Sequence, residues 1–307
     1  MIREWRPVIK GVVTMVPGVY SAFARKRGGG TASAEYCFSV WLKHLTMLKA
    51  NGMAEIPNVV AELGPGHTLG VGICALLSGA DRYYALDAVR YSDTQSNLRL
   101  LDDCVALFRS RAKVPAGWPD ISQHLDEGGF PHVLTPALLE NTLREVRIES
   151  IRNALLNRPS EITVKYIAPW DDVDQVARDS IDLILSQSVL EHVTDIERTI
   201  GCCAAWLKPD GWMSHVVDFK SHGVTKEWNG HWQYPHWAWR LIVGGRPYLI
   251  NRIPADALLA YLENMGFHIA MELRSERPGG LPPEMLHADW RTMAVNCSAM
   301  YFQARLA

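Results

Sequence analysis

Histidines and carboxylates late in the chain carry the residue types that proton transfer needs. His192, His222 and His231 are imidazoles that can take a proton near neutral pH, and Asp218 is an acid placed to orient one of them. His222 and His231 lie in Lys220–Arg240 with His236, Tyr234 and four tryptophans, Trp228, Trp232, Trp237 and Trp239. So many large rings in one connection need either a ligand or a packing partner. The first reading makes residues 220–250 a lid over an acceptor, with His222 or His231 as base and Asp218 as its orienter. The second makes them core. His222, His231, His236 and Asp218 show no His-x-His or His-x3-His pairing, so no metal site is expected.

A second group begins at Asn58-Val59-Val60-Ala61-Glu62-Leu63-Gly64-Pro65-Gly66. An apolar run ends in an acid and a Gly-x-Gly turn, and an apolar helix follows from Thr68. Strand, glycine turn and helix let a backbone approach a ligand closely. A dinucleotide site wants a third glycine where Leu69 stands, and Pro65 and His67 crowd the turn. Glu62 would repel a phosphate and suits a ligand with a cationic end, an amino acid or a sulfonium. Asp87, followed by Ala88, ends the next short strand about 20 residues on, where an acid binds ribose hydroxyls.

Glu62-Leu63-Gly64-Pro65-Gly66 with Asp87 resembles the opening motifs of class I S-adenosylmethionine-dependent methyltransferases. The likeness continues through Asp182-Leu183-Ile184-Leu185-Ser186, Val189-Leu190-Glu191-His192-Val193 and Leu207-Lys208-Pro209-Asp210-Gly211, so it spans about Asn58 to Phe219. The resemblance implies a Rossmann-like, doubly wound α/β sheet of about seven strands, mostly parallel with an antiparallel last strand, plus a helical insertion and N-terminal helices. It implies S-adenosylmethionine as cofactor, held by Glu62, Gly64, Pro65, Gly66, Asp87 and Ala88. Pro169, Trp170 and Asp171 fall where related enzymes hold the adenine, and Ser186, Gln187, Ser188 and His192 end the fourth strand. A helix before the first strand often closes over the cofactor in this family, which points to Tyr36 or Trp41. Lys220-Ser221-His222 with Glu227 to Trp232 is similar to bacterial methyltransferases of polysaccharide and small-metabolite biosynthesis. The expected reaction is in-line methyl transfer to an O or N atom of a small molecule or sugar. Alternatives are a protein or nucleic-acid acceptor, a non-catalytic binder of the cofactor, and, further off, an NAD-dependent oxidoreductase.

The elements that must position these groups follow from periodicity. Ser33 caps a helix running to Lys49, helices occupy 96–112 and 136–156, and strands fall at 162–167, 180–186, 212–219, 267–273 and 297–304. Residues 1–57 form an N-terminal extension with the cofactor-closing helix, and residues 58–307 the catalytic domain. That domain carries an inserted helical segment, 92–158, suited to acceptor recognition, a lid or a homodimer contact. Gly11 to Ala24 superficially resembles a signal peptide, but Pro17 and Gly18 interrupt it, and a plain extension ahead of Arg25-Lys26-Arg27 is the reading adopted. With 48% hydrophobic and 21% charged residues among 307, the chain suits one large α/β domain with insertions or two small domains. A formal charge of −2 supplies no field for nucleic acid, and no transmembrane segment is expected. Six cysteines without CxxC spacing suggest reduced core thiols in the cytoplasm.

Overall fold

The computed structural model describes residues 4–16, 30–170, 172–291 and 296–306. In chain order its elements are α1 (Arg6–Val13), α2 (Ala34–Ala50), β1 (Val59–Leu63), α3 (Gly70–Leu77), β2 (Arg82–Leu86), α4 (Thr94–Arg109), α5 (Pro136–Thr142), α6 (Glu145–Leu155), β3 (Thr163–Ile167), β4 (Ile181–Gln187), α7 (Ile196–Trp206), β5 (Leu207–Asp218), α8 (His236–Val243), α9 (Ala255–Asn264), β6 (Phe267–Glu276) and β7 (Cys297–Leu306). The seven strands form one sheet in the order β3-β2-β1-β4-β5-β7-β6. β1 to β5 pair in parallel, and β7 runs antiparallel between β5 and β6. This is the Rossmann-like sheet that the motifs implied.

β1 is buried along its whole length, as a central parallel strand must be. Its side chains alternate between the faces. Val60 joins the core under α2, α3, α4 and α6, whereas Val59, Ala61 and Leu63 join the core under α7 and α9. α3 is apolar all round and every residue is buried. Gly72 lets it press on β2, because a Cβ there would run into the Tyr83 ring.

Ser33 caps α2 by accepting the Tyr36 N–H at 3.3 Å. Asp93 caps α4 by accepting the Ser96 N–H at 2.9 Å, so that helix starts two residues earlier than its apolar pattern alone suggests. The single helix expected over 136–156 is two, because Arg144 is extended between α5 and α6. Leu207 to Gly211 belongs to β5, with a register shift between Ile181 and Leu183 on its neighbour and Asp210 left-handed at φ 64. The segment 92–158 is part of the helical layer: α4 and α6 share one core with α2 and α3.

Residues 220–250 fold onto the body. A 3-10 turn, Gly230–Gln233, leads into α8, and Trp232 and Tyr234 are buried. Tyr234, Ala238, Trp239, Ile242 and Ile250 form a third core with Val8 of α1. Gly28-Gly29-Gly30 reads in the sequence as a joint between the extension and the body, and its first two residues lie outside the described ones; the six cysteines are buried and form no disulfide.

Candidate active site

The carboxyl ends of β1, β2, β3 and β4 surround a cavity of about 660 Å³. Ligands of open α/β sheets bind at this edge. Gly64 and Gly66 form its floor with left-handed φ of 65° and 75°. A Cβ on Gly64 would lie 2.6 Å from Val189 Cγ2, so both the angle and the space demand glycine. Asp87 is buried on the wall next to Ala88. Its Oδ1 accepts the Ala88 N–H at 2.7 Å, and its Oδ2 has only long contacts, 3.4 Å from the Gly66 amide and 3.5 Å from the Tyr166 hydroxyl. Burial raises its pKa, and these donors offset part of that rise. Pro169, Trp170, Val193, Thr199 and Cys202 make an apolar slot at one end. Ser188, left-handed at φ 56°, and His192 complete the wall. Asp171 lies outside the described residues.

Several expected residues stand away from the wall. Glu62 is 3% exposed and accepts the Tyr83 hydroxyl at 2.5 Å beneath the turn, and burial pushes its pKa up to about 8. Strand alternation puts it on the α3 face with Val60, so it lies behind the turn and outside the cavity lining. Pro65 is buried outside the cavity lining. Tyr36, at the start of α2, is exposed, and Trp41 is core, donating to Ser78 Oγ at 2.8 Å. Ser186 is bonded to His215 Nδ1 at 2.7 Å, and Gln187 reaches toward His44.

Beyond His192 the wall meets a polar cluster. His192 Nδ1 lies 2.9 Å from the Tyr248 carbonyl, to which it donates, leaving Nε2 as the lone-pair nitrogen. Burial and then the His222 ring lower the His192 pKa. The two rings sit edge to face with centroids 5.0 Å apart. His222 has φ 49°, a strained angle for an imidazole residue, and its Nε2 lies 3.7 Å from Asp218 Oδ2. Lys220 Nζ pairs with that same oxygen at 2.9 Å. Behind them Glu191 is 3% exposed with neither carboxylate oxygen hydrogen-bonded. Burial pushes its pKa up to about 8, which the nearby amides of Glu191 and Asp218 only soften. His231, expected as an alternative base, is core: it is 1% exposed, packs on Trp232 with centroids 4.3 Å apart, and burial drives its pKa well down. His236 pairs elsewhere, 3.2 Å from Asp289.

A family described as a methyltransferase domain matches residues 111–271, just over half of the chain. The chain belongs to this methyltransferase family. The enzyme is a class I methyltransferase and its cofactor is S-adenosylmethionine. The match takes in the stretch from β3 to β5 and starts beyond the glycine turn and Asp87. Among curated proteins none matches the chain. Solved structures similar in fold include an S-adenosylmethionine-dependent methyltransferase from Mesorhizobium loti, 13% identical over 84% of this chain and 95% of that one, with a TM-score of 0.42. Another, from Methanosarcina mazei, is 12% identical over 84% of this chain and 96% of that one, with a TM-score of 0.43.

The cavity fits the methyltransferase cofactor on its own chemistry. The glycine floor admits a close backbone approach, Asp87 Oδ2 retains lone pairs for a ribose diol, and the Pro169–Trp170 slot offers apolar faces to a base. Glu191 stands inside the Val189–Val193 motif but was not among the expected site residues, because residue type alone does not signal that its carboxylate is buried. Tyr248 was missed outright, since it contributes only a backbone carbonyl, which no residue type signals. Among the described residues no helix is long and apolar enough to cross a membrane.

Proposed function

We propose that this methyltransferase acts on an oxygen or nitrogen atom of a small molecule or a sugar. The observation that carries the reading is the single cavity of about 660 Å³ joining the Gly64–Gly66 floor and Asp87 to His192. That size suits a small cofactor with a compact acceptor, within the usual range of roughly 300–1,000 Å³ for small-ligand sites. A chain with net charge −2 brings no general attraction for a polyanion.

When bound, S-adenosylmethionine supplies a methyl carbon made electrophilic by its sulfonium, which leaves as a neutral thioether. In the proposed arrangement Gly64 and Gly66 give room for the cofactor backbone. Asp87 accepts from ribose hydroxyls, and Ala88, Pro169 and Trp170 flank the base, with Val193 and Thr199 opposite. Ser188 and Val189 separate that end from the cluster of His192, Asp218 and His222, which receives the acceptor and polarises or deprotonates its nucleophilic atom. Lys220 to Trp228, which edge a second cavity of about 440 Å³ shared with Arg277 to Gly280, form the acceptor-side rim. This is the lid reduced to its first turn; beyond it Trp232, Tyr234 and Trp239 are buried, whereas Trp237 and Tyr248 are exposed. Buried thiols fit a reducing compartment such as the cytoplasm.

The test is incorporation of isotopic methyl from labelled S-adenosylmethionine into three pools: hydroxylated or aminated small molecules with oligosaccharides, proteins, and nucleic acids. Label is expected in the first. Label confined to protein or nucleic acid, or in no pool while the cofactor still binds, overturns the reading.

A further inference from the structure

Glu191, His192 and His222 come from two connections, the 3-10 turn Leu190–His192 after β4 and the turn after β5, yet one donor atom from each lies within 4.8 Å of the others. A carboxylate is not left buried without partners unless something neutralises it, since stranding a charge away from water costs several kcal/mol. Both Glu191 oxygens lie unbonded, so in the metal-free chain only a proton neutralises this acid, and a cation can take the proton's place. Lys220, the nearby cation, is held by Asp218 at 2.9 Å. We propose that Glu191, His192 and His222 bind a divalent transition-metal cation at the acceptor end of the cavity.

The supports around the three residues suit ligation. The Tyr248 carbonyl takes the His192 Nδ1 proton and turns the Nε2 lone pair outward, the outer-shell arrangement that fixes a ligating imidazole. Asp218 Oδ2 stands 3.7 Å from His222 Nε2, an ion-pair distance longer than a hydrogen bond. Asn251 pins the turn itself, donating to the Leu190 and Val193 carbonyls at 2.7 and 2.9 Å while its own amide donates to the Glu191 carbonyl at 2.7 Å. His222 is held in a left-handed conformation that its neighbours must enforce. Two imidazoles and one carboxylate favour Zn2+, Mn2+ or Co2+ over Mg2+ or Ca2+, which prefer oxygen sets. Donors about 2.0–2.2 Å from an ion lie at most about 4.4 Å apart, so the set closes with a small side-chain movement. Three protein ligands leave open positions, as in catalytic sites, and His192 places them toward the cavity. The inference rests on the methyl-transfer reading for its purpose: the cation would hold an acceptor hydroxyl or amine by its lone pair and ease loss of the proton to water.

The test uses the untagged full chain freed of metal by chelation. Titration with Zn2+ is followed by calorimetry, and Co2+ by its visible absorption as a report on tetrahedral or five-fold coordination. One cation per chain is expected. Glu191→Gln and His222→Ala should each weaken binding about 100-fold or more while thermal stability and S-adenosylmethionine affinity stay near those of the parent. Equal uptake by parent and Glu191→Gln, uptake of Mg2+ in preference to Zn2+, or no uptake by the parent overturns the site. Full methyl transfer to small molecules in excess chelator also overturns it and leaves the acceptor reading standing. A cation bound as expected with no transfer to any small molecule overturns only the acceptor reading.

Discussion

Asp87 lines the larger cavity and His222 the neighbouring one, with His192 between them, so their loss should separate into two kinetic signatures. Asp87→Asn removes the charged acceptor facing the Gly66 amide and should weaken S-adenosylmethionine binding about tenfold to a hundredfold, read by calorimetry with cofactor and its demethylated product. His222→Ala should lower kcat about 10²- to 10⁴-fold with cofactor affinity within about threefold. His231→Ala behaves differently, because that ring fills space against Trp232. It should cost about 2–4 kcal/mol of stability, visible as a drop in Tm, with the activity of the folded fraction retained. A His231→Ala variant of normal Tm and crippled turnover would return that residue to the catalytic set. At this scale the sequence marked Gly64, Gly66, Asp87, Ala88, Pro169, Trp170, Ser188 and His192 from motif position alone, and all of them line the cavity. Glu62, marked with them, lies outside the cavity lining, on the α3 face where period-two alternation from Val60 places it. Nothing in the spacing of His222 and His231 could tell which was solvent-facing, since both sit among aromatics in an irregular connection.

Elements behave as units in the acid range. α2 and β5 share a buried network in which His44 Nδ1 meets Ser214 Oγ at 2.7 Å and Ser214 meets the Tyr301 hydroxyl at 2.9 Å. His215 on β5 meets Ser186 on β4, and both histidines keep an unpartnered Nε2. Burial lowers the His44 pKa to about 4 and that of His215 to about 3. Both groups stay neutral in the folded state while the unfolded chain takes up protons below about pH 6.5, so their effect is destabilisation as pH falls. Glu62 and Glu191 act with the opposite sign, because their folded pKa values of about 8 lie above the unfolded 4.5. Stability from this set should therefore rise as pH falls from 8 to 6.5 and stay nearly level from 6.5 to 4.5, where two carboxylates offset two imidazoles. Below 4.5 it should fall, by an amount on the order of 2 kcal/mol or more. Urea denaturation of metal-free protein at half-unit pH steps checks this, and a monotonic profile across pH 4–8 would contradict it. His44→Gln should flatten the acid limb. The apolar periods of α2, α4 and α9 and the buried runs of β1 and β4 were legible because each repeats over several residues. The division of 92–158 into layer helices was not, since a pattern of apolar faces does not name the partner that covers them.

Across the whole molecule, the N-terminal helix is joined to the site through the third core. α1 crosses α8 so closely that a Cβ on Gly11 would run into the carbonyl oxygens of Leu241 and Ile242, and Gly244 in turn faces Gly11 and Thr14. Thr14 Oγ1 accepts the Gly245 N–H at 3.0 Å, and the Tyr234 hydroxyl donates to the Glu4 carbonyl at 2.8 Å. The same connection, a few residues on, carries the Tyr248 carbonyl that fixes the His192 tautomer and the Asn251 amide that pins the Glu191–His192 turn. Gly11→Ala should force α1 off α8 and cost about 1–3 kcal/mol, the usual penalty for overpacking. Loosening is expected to spread along 234–251 as faster amide hydrogen exchange, while β1 to β4 keep their protection. Because the cofactor end of the cavity draws on other loops, S-adenosylmethionine affinity should stay within about threefold. Turnover should fall further, as His192 loses the carbonyl that orients it. Exchange that rises equally in the sheet and in 234–251 would mean global destabilisation. Unchanged exchange near Tyr248, with turnover intact, would show that the N-terminal helix and the acceptor end are mechanically independent.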